Sequence, residues 1–235
     1  SGLVPTLNGD HVVYAGNDNT ASSVGDDAND DAATYANKYV KIVPIQTYDV
    51  WVAGAQFTSE KLTINGTTGT ATYDPESKTL TLNNFSYTGA GYCGLIYGDT
   101  IEAAIYSEGV LNIQLVGDSV IDHVNSNYAD YSAAIYSGAE LTIEDAAGGA
   151  VGSLTATGGD AKNSSGINCL DGVTIQSGKI TAYGGKATYS GGIFSEYSIN
   201  ITGGEISAFG GDADEYGRGF GIAAYYVTIS GGNVT

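Results

Sequence analysis

The chain has no methionine, one tryptophan, two cysteines and three prolines in 235 residues, and only eight lysines and arginines together. Each shortage removes a class of protein. Eight basic residues against 26 acidic ones give a formal charge of −18, so no basic stripe exists to neutralise phosphates and nucleic acid is not an expected partner. The same balance disfavours an anionic membrane surface, and no apolar run approaches the ~20 residues of a membrane-spanning helix, so membrane insertion is not expected. Two cysteines do not make a disulfide framework. The 35 glycines, the missing methionine and the want of any extended run at helical spacing exclude a helical fold. What the chain has instead is glycine, threonine, asparagine, serine and 18 tyrosines, a composition that suits an extracellular or cell-surface protein.

One phrase recurs five times with variation. Its best copies are SSGINCLDGVTIQSGKITAYGG at 164–185, SGGIFSEYSINITGGEISAFGG at 190–211 and GFGIAAYYVTISGGNVT at 219–235, with looser ones starting at Glu102 and Ser132. Each supplies an isoleucine, an apolar-polar-apolar triplet, a glycine turn and a short Ile-x-Ala strand. The isoleucines are Ile105, Ile135, Ile167, Ile193 and Ile222, spaced 30, 32, 26 and 29 residues apart. Such a period marks a solenoid.

Within a copy the apolar residues alternate strictly, which is the period of a half-buried strand. Three short strands and three turns per ~25–30 residues, stacked ~4.8 Å apart, predict an all-β, right-handed parallel β-helix (β-solenoid). Equivalent positions then form inward ladders. One is Leu111, Leu141, Val173, Ile199 and Val227, with Ile113, Ile143, Ile175, Ile201 and Ile229 two residues on. The polar positions between them, Asn112, Thr142, Thr174, Asn200 and Thr228, face out. Leu154, Ile180, Ile206 and Val234 form a third inward ladder, backed by Ala156, Ala182 and Ala208. Cys169 falls where other copies have Ser107, Ser137 and Ser195, so a small buried thiol is the plain reading, against a disulfide to Cys93. His11 and His123 sit in unrelated contexts and suit surface or structural roles.

Upstream the organisation changes twice. Residues 48–90 hold Trp51 and a hairpin, TATYDPESKTLTL, turning at Asp74-Pro75-Glu76-Ser77. From it, Val50, Val52, Leu62, Ile64, Leu80, Leu82 and Phe85 are expected to cover the open end of the coil. This N-terminal β-hairpin cap precedes the rungs of 91–235. Residues 1–47 form another segment, with strands at VVYAG and KYVKIVPI around a polar loop. In that loop Asp26, Asp27, Asp30 and Asp31, with Asp18, Asn17, Asn19 and Asn29, are the hard oxygen ligands that calcium prefers. The spacing matches no EF-hand, and a solvated acidic turn is the competing reading, so calcium is the one cofactor considered and none is required.

YDVWVAGAQFTSEKLTING, GTATYDPESKTLTLNNFSYTGAG, AAIYSEGVLNIQLVGDSVI and the TIxGGxIxAxGG rungs together resemble a module of large secreted and cell-surface proteins of gut clostridia. The resemblance runs over nearly the whole chain. It implies a pectate-lyase-like parallel β-helix of the kind commonly labelled a carbohydrate-binding domain, and it carries over no binding residues. In that family a segment like LNGDHVVYAGND…YVKI follows the last rung, whereas here it comes first. The chain therefore reads as circularly offset. Either it is a piece of a tandem array, or residues 1–47 complete a neighbouring subunit's helix and join copies head to tail.

Parallel β-helices host polysaccharide lyases and hydrolases, but fold does not decide function. The only arginine is Arg218, the rungs repeat no carboxylate, and Asp212, Asp214 and Glu215 beside Arg218 read as a turn with a local ion pair rather than a catalytic set. The chain is therefore read as non-catalytic. Binding has better material: alternation points Tyr106, Tyr136 and Phe194 outward, and Tyr183 and Phe209 end the Ile-x-Ala strands. Such aromatic ladders suit sugar rings on a glycan or host surface, against the competing reading that they stack between rungs. The expected function is a non-catalytic extracellular module, adhesive or structural, with carbohydrate binding through the outward aromatics as one role open to it. The alternatives are a head-to-tail filament subunit and a polysaccharide-cleaving enzyme.

Overall fold

Alternation of apolar and polar residues, broken by glycine-containing turns, leaves these segments nothing to form but short strands. In the computed structural model they do so throughout. It describes residues 11–16, 22–23, 39–124 and 129–235, and among them there is no helix. Among the described residues no helix is therefore long and apolar enough to cross a membrane.

The chain divides into two compact units, residues 1–47 with 58–60, and residues 48–57 with 61–235. In the first, β1 (His11–Gly16) pairs antiparallel with β2 (Ser22–Ser23) and with β3 (Tyr39–Pro44). The predicted calcium ligands Asp26, Asp27, Asp30 and Asp31 lie outside the described residues.

The second unit opens with β4 (Thr47–Val52), β5 (Ala55–Thr58), β6 (Thr63–Asn65), β7 (Thr68–Asp74), β8 (Thr79–Gly89) and β9 (Tyr92–Ile96). β7 and β8 form the antiparallel hairpin expected around Asp74. There the Asp74 carboxylate accepts from the Glu76 amide at 3.1 Å and from the Ser77 hydroxyl at 2.6 Å. Five coils follow, each of three strands. They are β10 (Asp99–Ser107), β11 (Leu111–Val116) and β12 (Asp118–His123); β13 (Tyr131–Ser137), β14 (Leu141–Asp145) and β15 (Ser153–Thr157); and β16 (Asn163–Cys169), β17 (Gly172–Ile175) and β18 (Lys179–Tyr183). The last two are β19 (Ala187–Ser195), β20 (Ser198–Ile201) and β21 (Glu205–Phe209), then β22 (Ala213–Ala223), β23 (Tyr226–Ile229) and β24 (Asn233–Val234).

First strands pair in parallel with first strands, second with second and third with third, which gives the β-solenoid three faces. β8 is long enough to serve two of them: its first half pairs with β11 and its second half with β12. It turns the corner at Asn84, whose φ is +48°, and in four of the five later coils the same corner falls on a glycine of positive φ, Gly117, Gly178, Gly204 and Gly232, with φ between +64° and +94°. Only glycine and, less readily, asparagine reach that region without strain, which is why this corner reads as Gly in the sequence.

Every inward ladder read from the sequence is in register. Leu111, Leu141, Val173, Ile199 and Val227 pair in turn, as do Leu154, Ile180, Ile206 and Val234, and the isoleucines from Ile105 to Ile222. Val50, Val52, Ile64, Leu80, Leu82 and Phe85 are buried in the same core, so hairpin and coils share one interior. On the first face the alternation breaks once per coil. Ala104 and Ile105 both belong to the main core, while Ile101, Ala103 and Tyr106 belong to a second cluster outside it. The break falls on small residues because the strand bends against the third face there. A side chain at Gly192 would put its Cβ 2.5 Å from the Phe209 amide nitrogen.

The corners leading into the last three coils each carry a Gly-Gly pair, and a serine ladder satisfies them. Ser132, Ser164 and Ser190 stack in register and are buried. Their hydroxyls accept from the amides of Gly159 (2.9 Å), Gly185 (2.7 Å) and Gly211 (2.7 Å), each one coil further on. Ser190 also donates to the Gly185 carbonyl at 2.7 Å. Backbone polar groups in a buried corner demand such partners.

Candidate functional site

Tyr106 and Tyr136 leave the main core, as alternation requires, but they are not exposed. Each is 3 % exposed, because β9 folds back antiparallel on β10 and Trp51 of β4 closes over the same side. The rings form a chain: Trp51 stacks on Tyr92 at 4.1 Å, Tyr92 meets Tyr106 at 4.8 Å, and Tyr106 stacks on Tyr136 at 4.9 Å. Burial pushes the Tyr106 phenol up to about 12, with help from the Glu108 charge, and raises that of Tyr136 as well. These two residues build a second small core and offer no ring face to a sugar. The signal for this was present in Val50-Trp51-Val52, where alternation sends Trp51 outward between two core valines.

Next in that ladder stands Asn168, 4 % exposed, whose Oδ1 has no hydrogen-bond partner among the described residues. Phe194 follows, half-buried, with Phe220 beside it at 6.2 Å.

Tyr183 and Phe209 are different. They are 39 % and 43 % exposed and stacked on one another, with centroids 5.2 Å apart and planes 17° from parallel. They stand on the outer side of the third face, where strand register arranges three columns. The outermost is Asp118, Ser153, Lys179, Glu205 and Asn233; the middle one is Val120, Thr155, Thr181 and Ser207; the third is Asp122, Thr157, Tyr183 and Phe209. Ser153 donates to Asp118 at 2.7 Å, and the Lys179 ammonium lies 3.4 Å from the Glu205 carboxylate. The alternate residues of these strands, Leu154, Ala156, Ile180, Ala182 and Ile206, are fully buried, which pins the outer side chains to a regular lattice. The sequence reading found the aromatic column and passed over the hydroxyl column beside it, because threonine in a strand is too ordinary to attract notice.

Other sequence readings concern single residues. Cys169 is buried and free, its thiol within reach of the carbonyls of Ala139 (2.8 Å) and Gly172 (3.3 Å), and burial raises it to about 11. Cys93 is free and exposed. His123 is buried, with Nδ1 3.2 Å from the Gly89 carbonyl. Arg218 lies opposite Tyr189 on β22 and is exposed, as is Asp212; the side chains of Asp214 and Glu215 are outside the described set. Among the described residues no three His, Cys, Asp or Glu gather as a metal-holding group. Comparison with known proteins finds no matching family model, no matching curated protein and no matching solved structure.

Proposed function

We propose that the chain is a non-catalytic module of the extracellular space or cell surface, adhesive or structural, whose β-solenoid binds carbohydrate on its third face. The observation that supports this reading is the exposed Tyr183–Phe209 stack beside a column of threonine and serine hydroxyls. Apolar ring surface next to hydroxyl donors and acceptors is the pairing that a sugar's two kinds of surface call for. A glycan array probed with the whole chain and with the Tyr183→Ala/Phe209→Ala double variant tests it. Saturable binding that the variant loses supports the reading; binding that is unchanged in the variant moves the site elsewhere.

A second reading is head-to-tail self-association. Val227 and Ile229 of β23 are exposed, whereas Ile199 and Ile201, their register partners on β20, are buried. Light scattering of the chain and of an Ile229→Asp variant tests it: polymers that vanish in the variant support it, and a monomer at all concentrations removes it.

A further inference from the structure

Resting on the carbohydrate reading, we infer that the ligand of the third face is an extended, uncharged glycan lying lengthwise along the helix axis, rather than a single sugar held in place. Direction follows from the columns. A ligand crossing them meets a charged column, a hydroxyl column and an aromatic column in turn. One running along them meets hydroxyls on three successive coils, from Thr155 to Thr181 to Ser207, and aromatic rings on two, Tyr183 and Phe209. Coils repeat every ~4.8 Å, close to the length of one pyranose in an extended chain, so successive sugars meet successive coils.

Shape points the same way. The face is one side of a parallel sheet, its outer side chains standing on strands whose alternate residues are buried, and a lone sugar needs enclosing walls that a row of alternating side chains does not supply. Ring geometry adds to this. Tyr183 and Phe209 stack on one another, so the pair extends its apolar surface along the axis from one coil to the next. Each sugar meets one ring, and affinity accumulates through repetition.

Charge selects among chains. The only cation of the three columns, Lys179, is already beside Glu205, and Asp118 and Asp122 stand at the head of the two outer columns. With a formal charge of −18 overall, a uronate or phosphate polymer is repelled and a neutral one is not.

Isothermal titration of the whole chain with cello-, xylo- and manno-oligosaccharides of two to six units, with their parent polymers and polygalacturonate alongside, is the test. Affinity is expected to tighten by roughly tenfold or more from the disaccharide to the hexasaccharide in the series that binds. Thr181→Glu, which puts a carboxylate at the centre of the hydroxyl column, removes that gain, and polygalacturonate does not bind. A disaccharide that binds as tightly as the hexasaccharide overturns the lengthwise arrangement while leaving carbohydrate adhesion in place. Polygalacturonate binding above the neutral chains overturns the selection by charge. Failure of every neutral polymer to bind the unaltered chain overturns the carbohydrate reading itself. The length series needs no variant, so misfolding of any substituted chain does not obscure it.

Discussion

Truncating the isoleucine ladder to alanine one coil at a time gives a cost set by position along the axis. Ile167 is fully buried, with Ile135 stacked on one side and Ile193 on the other. Ile167→Ala removes three carbons, worth about 2.4 kcal/mol at ~0.8 kcal/mol per buried methylene. Backbone ladders on both sides hold the strands apart and prevent collapse into the void. The cost therefore falls in the upper half of the ~2–5 kcal/mol seen for such truncations, about 4 kcal/mol. Ile222 occupies the same position on β22 but is only partly buried and has Ile193 on one side, so Ile222→Ala costs about 1 kcal/mol. Urea unfolding followed by far-ultraviolet circular dichroism and by Trp51 fluorescence measures both, since the first reports all coils and the second the outer cluster beside β10. Coincident transitions license a single free energy. Equal costs at Ile167 and Ile222, or a cost below about 1 kcal/mol at Ile167, refute the stacked-ladder account.

Gly192→Ala brings its Cβ to 2.5 Å from the Phe209 nitrogen and 2.8 Å from the Ala182 oxygen, and is expected to destabilise by about 2–3 kcal/mol. Gly109→Ala, with nothing within 4 Å, stays within about 0.5 kcal/mol in the same urea assay. Asn168→Leu removes a buried carbonyl that lacks a partner and is expected to stabilise by about 1 kcal/mol, read as a rise of ~2–4 °C in Tm. Tyr106 titrates at about 12 in the folded chain against 10.0 ordinarily. Its contribution to stability is complete below the unfolded value and is lost as pH climbs from about 10 to 12, because the unfolded chain ionises first. Tyr106→Phe flattens that decline in alkaline unfolding curves. A thiol reagent labels Cys93 in the native chain and Cys169 only after unfolding, since Cys169 is buried and raised to about 11.

The coil was legible because its information is periodic. Ile105, Ile135, Ile167, Ile193 and Ile222 announce a register that no single strand could, and strict alternation then assigns an inside and an outside. Alternation assigns a direction, however, and not an exposure. Tyr106 and Tyr136 were correctly sent outward, yet what lies over them is decided by β9 and Trp51, which belong to no repeat and so left no periodic trace. The second limit is the bend at Ala104 and its counterparts, where two consecutive residues face inward. Small residues at that position, Ala134, Gly166, Gly192 and Gly221, mark the bend in retrospect. Within the candidate site the aromatic pair was visible because aromatics are few, whereas the threonine column became a feature only once strands on successive coils were set in register.

Because the corner serines each reach to the next Gly-Gly corner, from Ser132 to Gly159, from Ser164 to Gly185 and from Ser190 to Gly211, the three middle coils are joined by the same repeated contact. Copying or excising one coil in register thus leaves no donor orphaned and no acceptor exposed. The corners, where spacing already varies, absorb any mismatch in chain length. The number of middle coils is in this sense a modular quantity, set by how often the same serine-to-glycine joint is repeated.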